Sequence, residues 1–228
     1  QRATTQLNLE REVRAALERN EFIFHYQPIV HTNSKKIYGV EALMRWNARD
    51  GQLHYPGEFM DTLLNLDPRQ DFMENLMVQV DRLQERCLQE LQIPLRVSIN
   101  MSASVLRNAA MHSLVLNSLK RRAHPELLHI EITEDTLLED LANARVLLTE
   151  IKRLGIPLVL DDFGTGQSSL NHLRSFPFDA IKIDREFVMN MDQSQDDATL
   201  VKAITQLAHS FNMKVVAEGV ENQQQYRF

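Results

Sequence analysis

The chain has 228 residues, with 25 Lys+Arg against 31 Asp+Glu and a formal charge of −6, a balance that disfavours a general nucleic-acid coat protein. Its lone cysteine, Cys87, cannot close an internal disulfide, and no apolar run approaches the ~20 residues needed to cross a bilayer. No Lys/Arg-led hydrophobic leader opens the sequence, so a cytoplasmic domain is expected. One domain is the default at this length, and a first residue of Gln leads us to expect a longer parent protein.

In chain order, Leu7–Arg19 repeats apolar positions at Leu9, Val13, Ala16 and Leu17, which is helical spacing. Its charged face suits either a linker helix from an upstream domain or a covering helix. We expect residues 1–20 to be that N-terminal helix and residues 21–228 the main domain. Two runs read as strands, FIFHYQPIV (22–30) and YGVEALMRW (38–46). A repeating pattern follows, in which a helix leads to a proline and then to a short apolar run ending in polar groups. Pro94, Pro125, Pro157 and Pro177 precede LRVSIN, ELLHIEITE, LVLDD and FDAIKID. The spacing predicts an amphipathic helix over Thr136–Leu154, stopped by Gly155 and Pro157, with Glu134 and Asp135 before it as capping candidates. A last strand is expected at KVVAEGV (214–220).

Seven strands alternating mostly with helices imply a largely parallel sheet. The later strand ends lie 21 to 36 residues apart, enough for crossover helices. A doubly wound open sheet would carry a Gly-rich phosphate loop after its first strand, and the sequence has no G-x-G-x-x-G or Walker pattern. Instead, polar or charged groups lie at or near the strand ends in order: Gln27, Glu41, Asn100, Glu131, Asp161 with Asp162, Lys182 and Glu218. Sites of (β/α)₈ barrels are assembled from strand C-terminal ends in this distributed way. We therefore expect a barrel with seven of its eight strands visible.

Any one of these acids has an ordinary explanation as a cap or a solvated loop residue. Together, Glu41, Glu131, Asp161, Asp162 and Glu218 would meet on one rim with Lys182 and Arg45 as the evident counter-charges. Crowded carboxylates raise each other's pKa unless cations intervene. A pair of divalent ions is the simplest remedy, and all-oxygen ligands with an Asn carbonyl select Mg²⁺ or Mn²⁺ over zinc. Neighbouring residues of a regular strand face opposite ways. For Asp161 and Asp162 both to reach metal, the backbone must leave strand geometry, which Gly164 and Gly166 would permit.

At this point the chain resembles the EAL-domain family of bacterial cyclic di-GMP phosphodiesterases. The name-giving triplet is Glu41-Ala42-Leu43, within an E-x-L-x-R pattern that includes Arg45. QPIV (27–30), N-x-S (100–102), EITE (131–134), DDFGTGQSSL (161–170), IKIDREFV (181–188) and AEGVE (217–221) follow in register. The resemblance implies a modified TIM barrel with an antiparallel first strand. It also implies hydrolysis of cyclic di-GMP to the linear dinucleotide pGpG by water activated between two metal ions. Glu41, Asn100, Glu131, Asp161 and Asp162 match metal ligands, and Lys182 matches the lysine that holds the attacking water. Glu218 matches a catalytic glutamate, and Gln27, Leu43, Arg45 and Glu221 match positions that touch the ligand. Glu134 matches an anchor of the DDFGTG loop. A homodimer and an upstream sensory or GGDEF-type domain are the implied partners, with no polymeric nucleic acid.

Two departures stand out. The chain stops at Phe228, before the family's last strand and its QGY motif, and Phe59–Leu64 (FMDTLL) lacks the Ala-Glu pair common there. Two other functions share such a rim. One is a catalytically silent cyclic di-GMP receptor, and the other is a metal-dependent barrel enzyme that abstracts a proton next to a carboxylate.

Overall fold

A computed structural model describes residues 2–66, 70–164 and 170–228. Helix α1 (Arg2–Glu18) leads into an antiparallel hairpin of β1 (Phe22–Val30) and β2 (Ile37–Asn47). A two-residue strand, β3 (Leu53–His54), pairs with β2 and was not expected from the sequence. Helices α2 (Pro56–Asn65) and α3 (Gln70–Leu91) precede β4 (Arg96–Asn100), and α4 (Ala103–Arg107) and α5 (Ala109–Leu119) precede β5 (Leu128–Thr133). Then come α6 (Glu134–Glu139), α7 (Leu141–Arg153), β6 (Leu158–Phe163), α8 (Leu170–Ser175) and β7 (Ala180–Ile183). The chain closes with α9 (Arg185–Asn190), α10 (Gln195–Ser210), β8 (Lys214–Ala217) and α11 (Gln223–Arg227).

The strands form one curled sheet in the order β1-β2-β4-β5-β6-β7-β8, parallel from β2 onward. All seven expected strands are present, and the first runs against the second as the resemblance implied. Among the described residues β1 and β8 are the two ends of the path, so the curl is open between them.

Alternate side chains of the strands hold the sheet to its helices. Leu128, Ile130 and Ile132 of β5 and Leu158 and Leu160 of β6 pack with Leu147, Leu148 and Ile151 of α7 in the main core. Glu131, set between Ile130 and Ile132, faces the other way. Helix α3 is tied in by the buried Gln84 amide, whose Nε2 donates to the carbonyls of Leu95 (3.4 Å) and Leu127 (2.9 Å). A second, smaller core gathers Val13, Ala16, Phe22, Trp46, Phe59 and Leu63, so α1 is packed onto the hairpin and α2. No helix among the described residues is long and apolar enough to cross a membrane.

The structure corrects the sequence reading in three places. The helix expected over Thr136–Leu154 is two helices, α6 and α7. Asp140 sits between them at φ −155°, ψ 80°, and its carboxylate accepts from the backbone N–H of Asn143. An Asp side chain that bonds locally competes with helix continuation. Glu134 and Asp135 lie in the first turn of α6 rather than capping it, since the cap is Thr133, whose Oγ1 accepts from Thr136 N at 3.3 Å. Finally, β8 ends at Ala217, not at residue 220. Gly219 has φ +68°, and a Cβ there would come within 2.8 Å of the Arg185 Cβ. The turn needs a glycine on both counts.

Candidate active site

The middle of β2, the C-terminal halves of β5, β6 and β7, and the segment after β8 converge on one ammonium. Lys182 of β7, only 2% exposed, places its Nζ 3.0 Å from Glu41, 2.8 Å from Glu131, 3.0 Å from Asp161 and 2.5 Å from Glu218. Parallel pairing explains why residues far apart in sequence meet. Asn100 is the Cα partner of Glu131, and Thr133 that of Asp161. Asn100 Nδ2 donates to Glu41 Oε1 at 2.8 Å, adding a sixth side chain to the cluster.

Asp162 joins it by the backbone departure that the sequence demanded. Its φ is +53°, in the left-handed region, and the β6–β7 register shifts between Leu160 and Phe163. Its N–H donates to Asp161 Oδ1 at 2.9 Å. A non-Gly residue in that region costs energy that the surrounding structure must supply. The consequence is two consecutive carboxylates on the same side of the sheet. Gly164 follows at φ +104°, while Gly166 and the rest of residues 165–169 lie outside the described residues.

Oxygens of Glu41, Glu131 and Asp161 lie within 4.8 Å of one another, as do those of Asp161, Asp162 and Glu218. Asp161 belongs to both groups. This donor set is all oxygen, it is charged, and it is divided into two overlapping clusters, so it fits hard divalent ions.

The electrostatics match that crowding. Burial, followed by the repulsion of Glu41 and Asp161, outweighs the attraction of Lys182 and pushes Glu131 up to about 7. Burial and the adjacent Asp161 raise Asp162 to about 6, and burial raises Glu218. Burial alone would lower Lys182, but four carboxylates outweigh it and hold the ammonium well above its ordinary range.

The other expected site residues are placed less directly. Gln27 is the Cα partner of Glu41 across the β1–β2 pair and is exposed. Leu43 lies two residues further along β2. Arg45 is turned to its own surroundings, with Nη1 donating to the Met44 carbonyl at 2.7 Å and its guanidinium 4.7 Å from the Tyr55 ring centroid. Tyr55, the aromatic partner of Arg45, was not singled out in the sequence. Glu221 is exposed, and its backbone N–H donates to Gln225 Oε1 at 2.7 Å. Glu134 is buried in the first turn of α6, and the loop it was expected to anchor lies largely outside the described residues.

The EAL domain family model matches residues 10–228. This chain belongs to the EAL domain family. It is 37% identical over 232 residues to the cyclic di-GMP phosphodiesterase NbdA of Pseudomonas aeruginosa, covering 100% of this chain and 29% of that protein. MucR of the same species, a bifunctional diguanylate cyclase/cyclic di-GMP phosphodiesterase, is 35% identical over 227 residues, covering 99% of this chain and 33% of that protein. This EAL domain thus spans about a third of the length of these relatives. Among solved structures, the MucR phosphodiesterase in complex with c-di-GMP superimposes with a TM-score of 0.83 at 33% identity, covering 96% of this chain and 90% of that one.

Proposed function

We propose that this EAL domain is a metal-dependent phosphodiesterase that hydrolyses cyclic di-GMP to linear pGpG. The observation that carries the reading is the convergence of Glu41, Glu131, Asp161 and Glu218 on buried Lys182, with Asp162 brought to the same side by its left-handed backbone. The relatives named as cyclic di-GMP phosphodiesterases, and the likeness to one in complex with that nucleotide, support the choice of substrate.

In this reading Glu41, Asn100, Glu131, Asp161 and Asp162 would hold two Mg²⁺ or Mn²⁺ ions. When bound, such ions neutralise the anionic phosphodiester and acidify water. The chain's own groups do the rest. Glu218, whose proton affinity is raised by burial, accepts a proton from the attacking water. Lys182 orients that water as a donor, and one P–O ester bond breaks as the new P–O bond forms. Arg45 leaves Tyr55 to hold a phosphate oxygen through its fork of donors, and Gln27, Leu43 and Glu221 contact the nucleotide. Glu134 anchors the loop that follows Asp162. Residues 1–20 lead to an upstream sensory or GGDEF-type domain, residues 21–228 are the catalytic unit, and two copies pair as a homodimer.

The test is product analysis with the purified chain. Mg²⁺ or Mn²⁺ should support conversion of cyclic di-GMP to pGpG, and Ca²⁺, which prefers more and longer bonds, should support little. Glu41→Ala should abolish turnover while leaving the fold intact. Binding without hydrolysis in every metal would instead identify a receptor, and failure to bind the nucleotide would overturn both readings.

A further inference from the structure

The proposed reaction gives Lys182 a role toward water, yet its geometry here serves something else. An ammonium has three N–H donors and no acceptor, and Lys182 spends all of them on carboxylates. Its Nζ stands within 3.0 Å of Glu41, Glu131 and Asp161, the three acids whose oxygens form one of the two candidate ion clusters. Glu218, a member of the second cluster, is 2.5 Å away. The four acids come from β2, β5, β6 and the turn after β8, so one cation ties together most of the curled sheet. Lys182 and Glu131 are both buried, and a buried charge is tolerated only when paired.

We propose that Lys182 is the placeholder cation of the metal-free domain. Its ammonium sits among the oxygens that a divalent ion would use, keeps the acids assembled while no ion is bound, and is displaced when one enters. The four-carbon stem allows this, because a lysine head is a point charge that can swing aside without moving the backbone. This inference rests on the metal-dependent reading above and adds a positioning role for Lys182 within it. Two consequences follow. Ion binding competes with an internal cation, so the lysine weakens metal affinity. Metal-free protein keeps a formed site, so the lysine supports the apo fold.

Calorimetric titration of Mn²⁺ into the wild-type chain and Lys182→Met reads the first consequence directly. A role confined to water predicts little change in metal binding. Displacement predicts that the methionine variant, similar in length but uncharged, binds Mn²⁺ at least tenfold more tightly. Its melting temperature in chelator should also fall below that of wild type, and Mn²⁺ should raise it by more than it raises the wild type's. Equal or weaker affinity in Lys182→Met overturns the placeholder role and leaves the metal reading standing. Absence of Mn²⁺ binding to either protein overturns both. Should the variant fold only when prepared with Mn²⁺ and unfold on chelation, the second consequence is met. Metal-free wild-type crystals give a check independent of any variant. Nζ should lie within hydrogen-bond reach of these acids and move away on soaking with Mn²⁺, whereas acids splayed apart without metal would overturn the proposal.

Discussion

At Glu131 the cost of burial exceeds the attraction of Lys182, and the carboxyl is pushed up to about 7 from its ordinary 4.5. Asp162 is shifted in the same sense, to about 6 from 3.8. A carboxyl raised in the folded state binds more protons folded than unfolded, so its contribution to stability is complete below the unfolded value and is lost as pH rises through the folded one. Metal-free protein should therefore lose stability between about pH 4 and about pH 7, with an upper bound of roughly 3 kcal/mol from Glu131. Denaturant melts in chelator across that range check this. Glu131→Gln should flatten the slope, and an unchanged slope would place the dependence elsewhere. The identities of these residues were readable from the strand ends, but their proton affinities were not. Those follow first from burial, and then from carboxylates that the fold crowds together, such as Glu41 and Asp161 beside Glu131.

At the scale of elements, α7 shows which part of a helix its sequence controls. Its apolar stripe was legible, and Leu147, Leu148 and Ile151 are fully buried as that stripe requires. Leu148→Ala should cost about 2–5 kcal/mol, because it removes core contacts and leaves a cavity behind. Chemical denaturation should show the loss with little change in the shape of the transition. A cost under about 1 kcal/mol would mean that α7 is less firmly docked than its burial indicates. The break at Asp140 was not legible. An aspartate in a helical pattern is tolerated or disruptive according to whether its carboxylate finds a nearby backbone N–H, and here it finds Asn143. The bulge at Asp162 is the opposite case. Two adjacent acids that both serve one face require the chain to leave strand geometry, and the backbone does so at φ +53°.

At the largest scale, the described strands leave the sheet open between β1 and β8. Strand β8 is four residues long and pairs with β7 on one side, and among the described residues its other side has no ladder partner. Among the described residues, two side chains reach toward the far end of the sheet. Lys214 Nζ donates to the Tyr38 hydroxyl at 3.1 Å, and the Tyr226 hydroxyl donates to the Thr32 carbonyl. Open edges recruit strands from other chains. The 228-residue chain should accordingly associate with rising concentration, measurable by sedimentation, and a strict monomer at all concentrations would show that these bridges suffice.

The sequence by itself determined the order of strands, a largely parallel sheet, and the identity of the acids near the strand ends, while the reversed first strand came only from the family resemblance. Each of these is written locally, in alternation, in proline and glycine punctuation, and in short motifs kept in register. Only the tertiary structure decided that Lys182 would stand at the centre of four carboxylates, that Arg45 would rest on Tyr55, and that α1 would bury Val13 and Ala16 against Trp46 and Phe59. The reason is physical. Periodicity specifies which face of an element is apolar, whereas the partner of a buried charge depends on which strand ends the curl of the sheet brings within about 3 Å of one another.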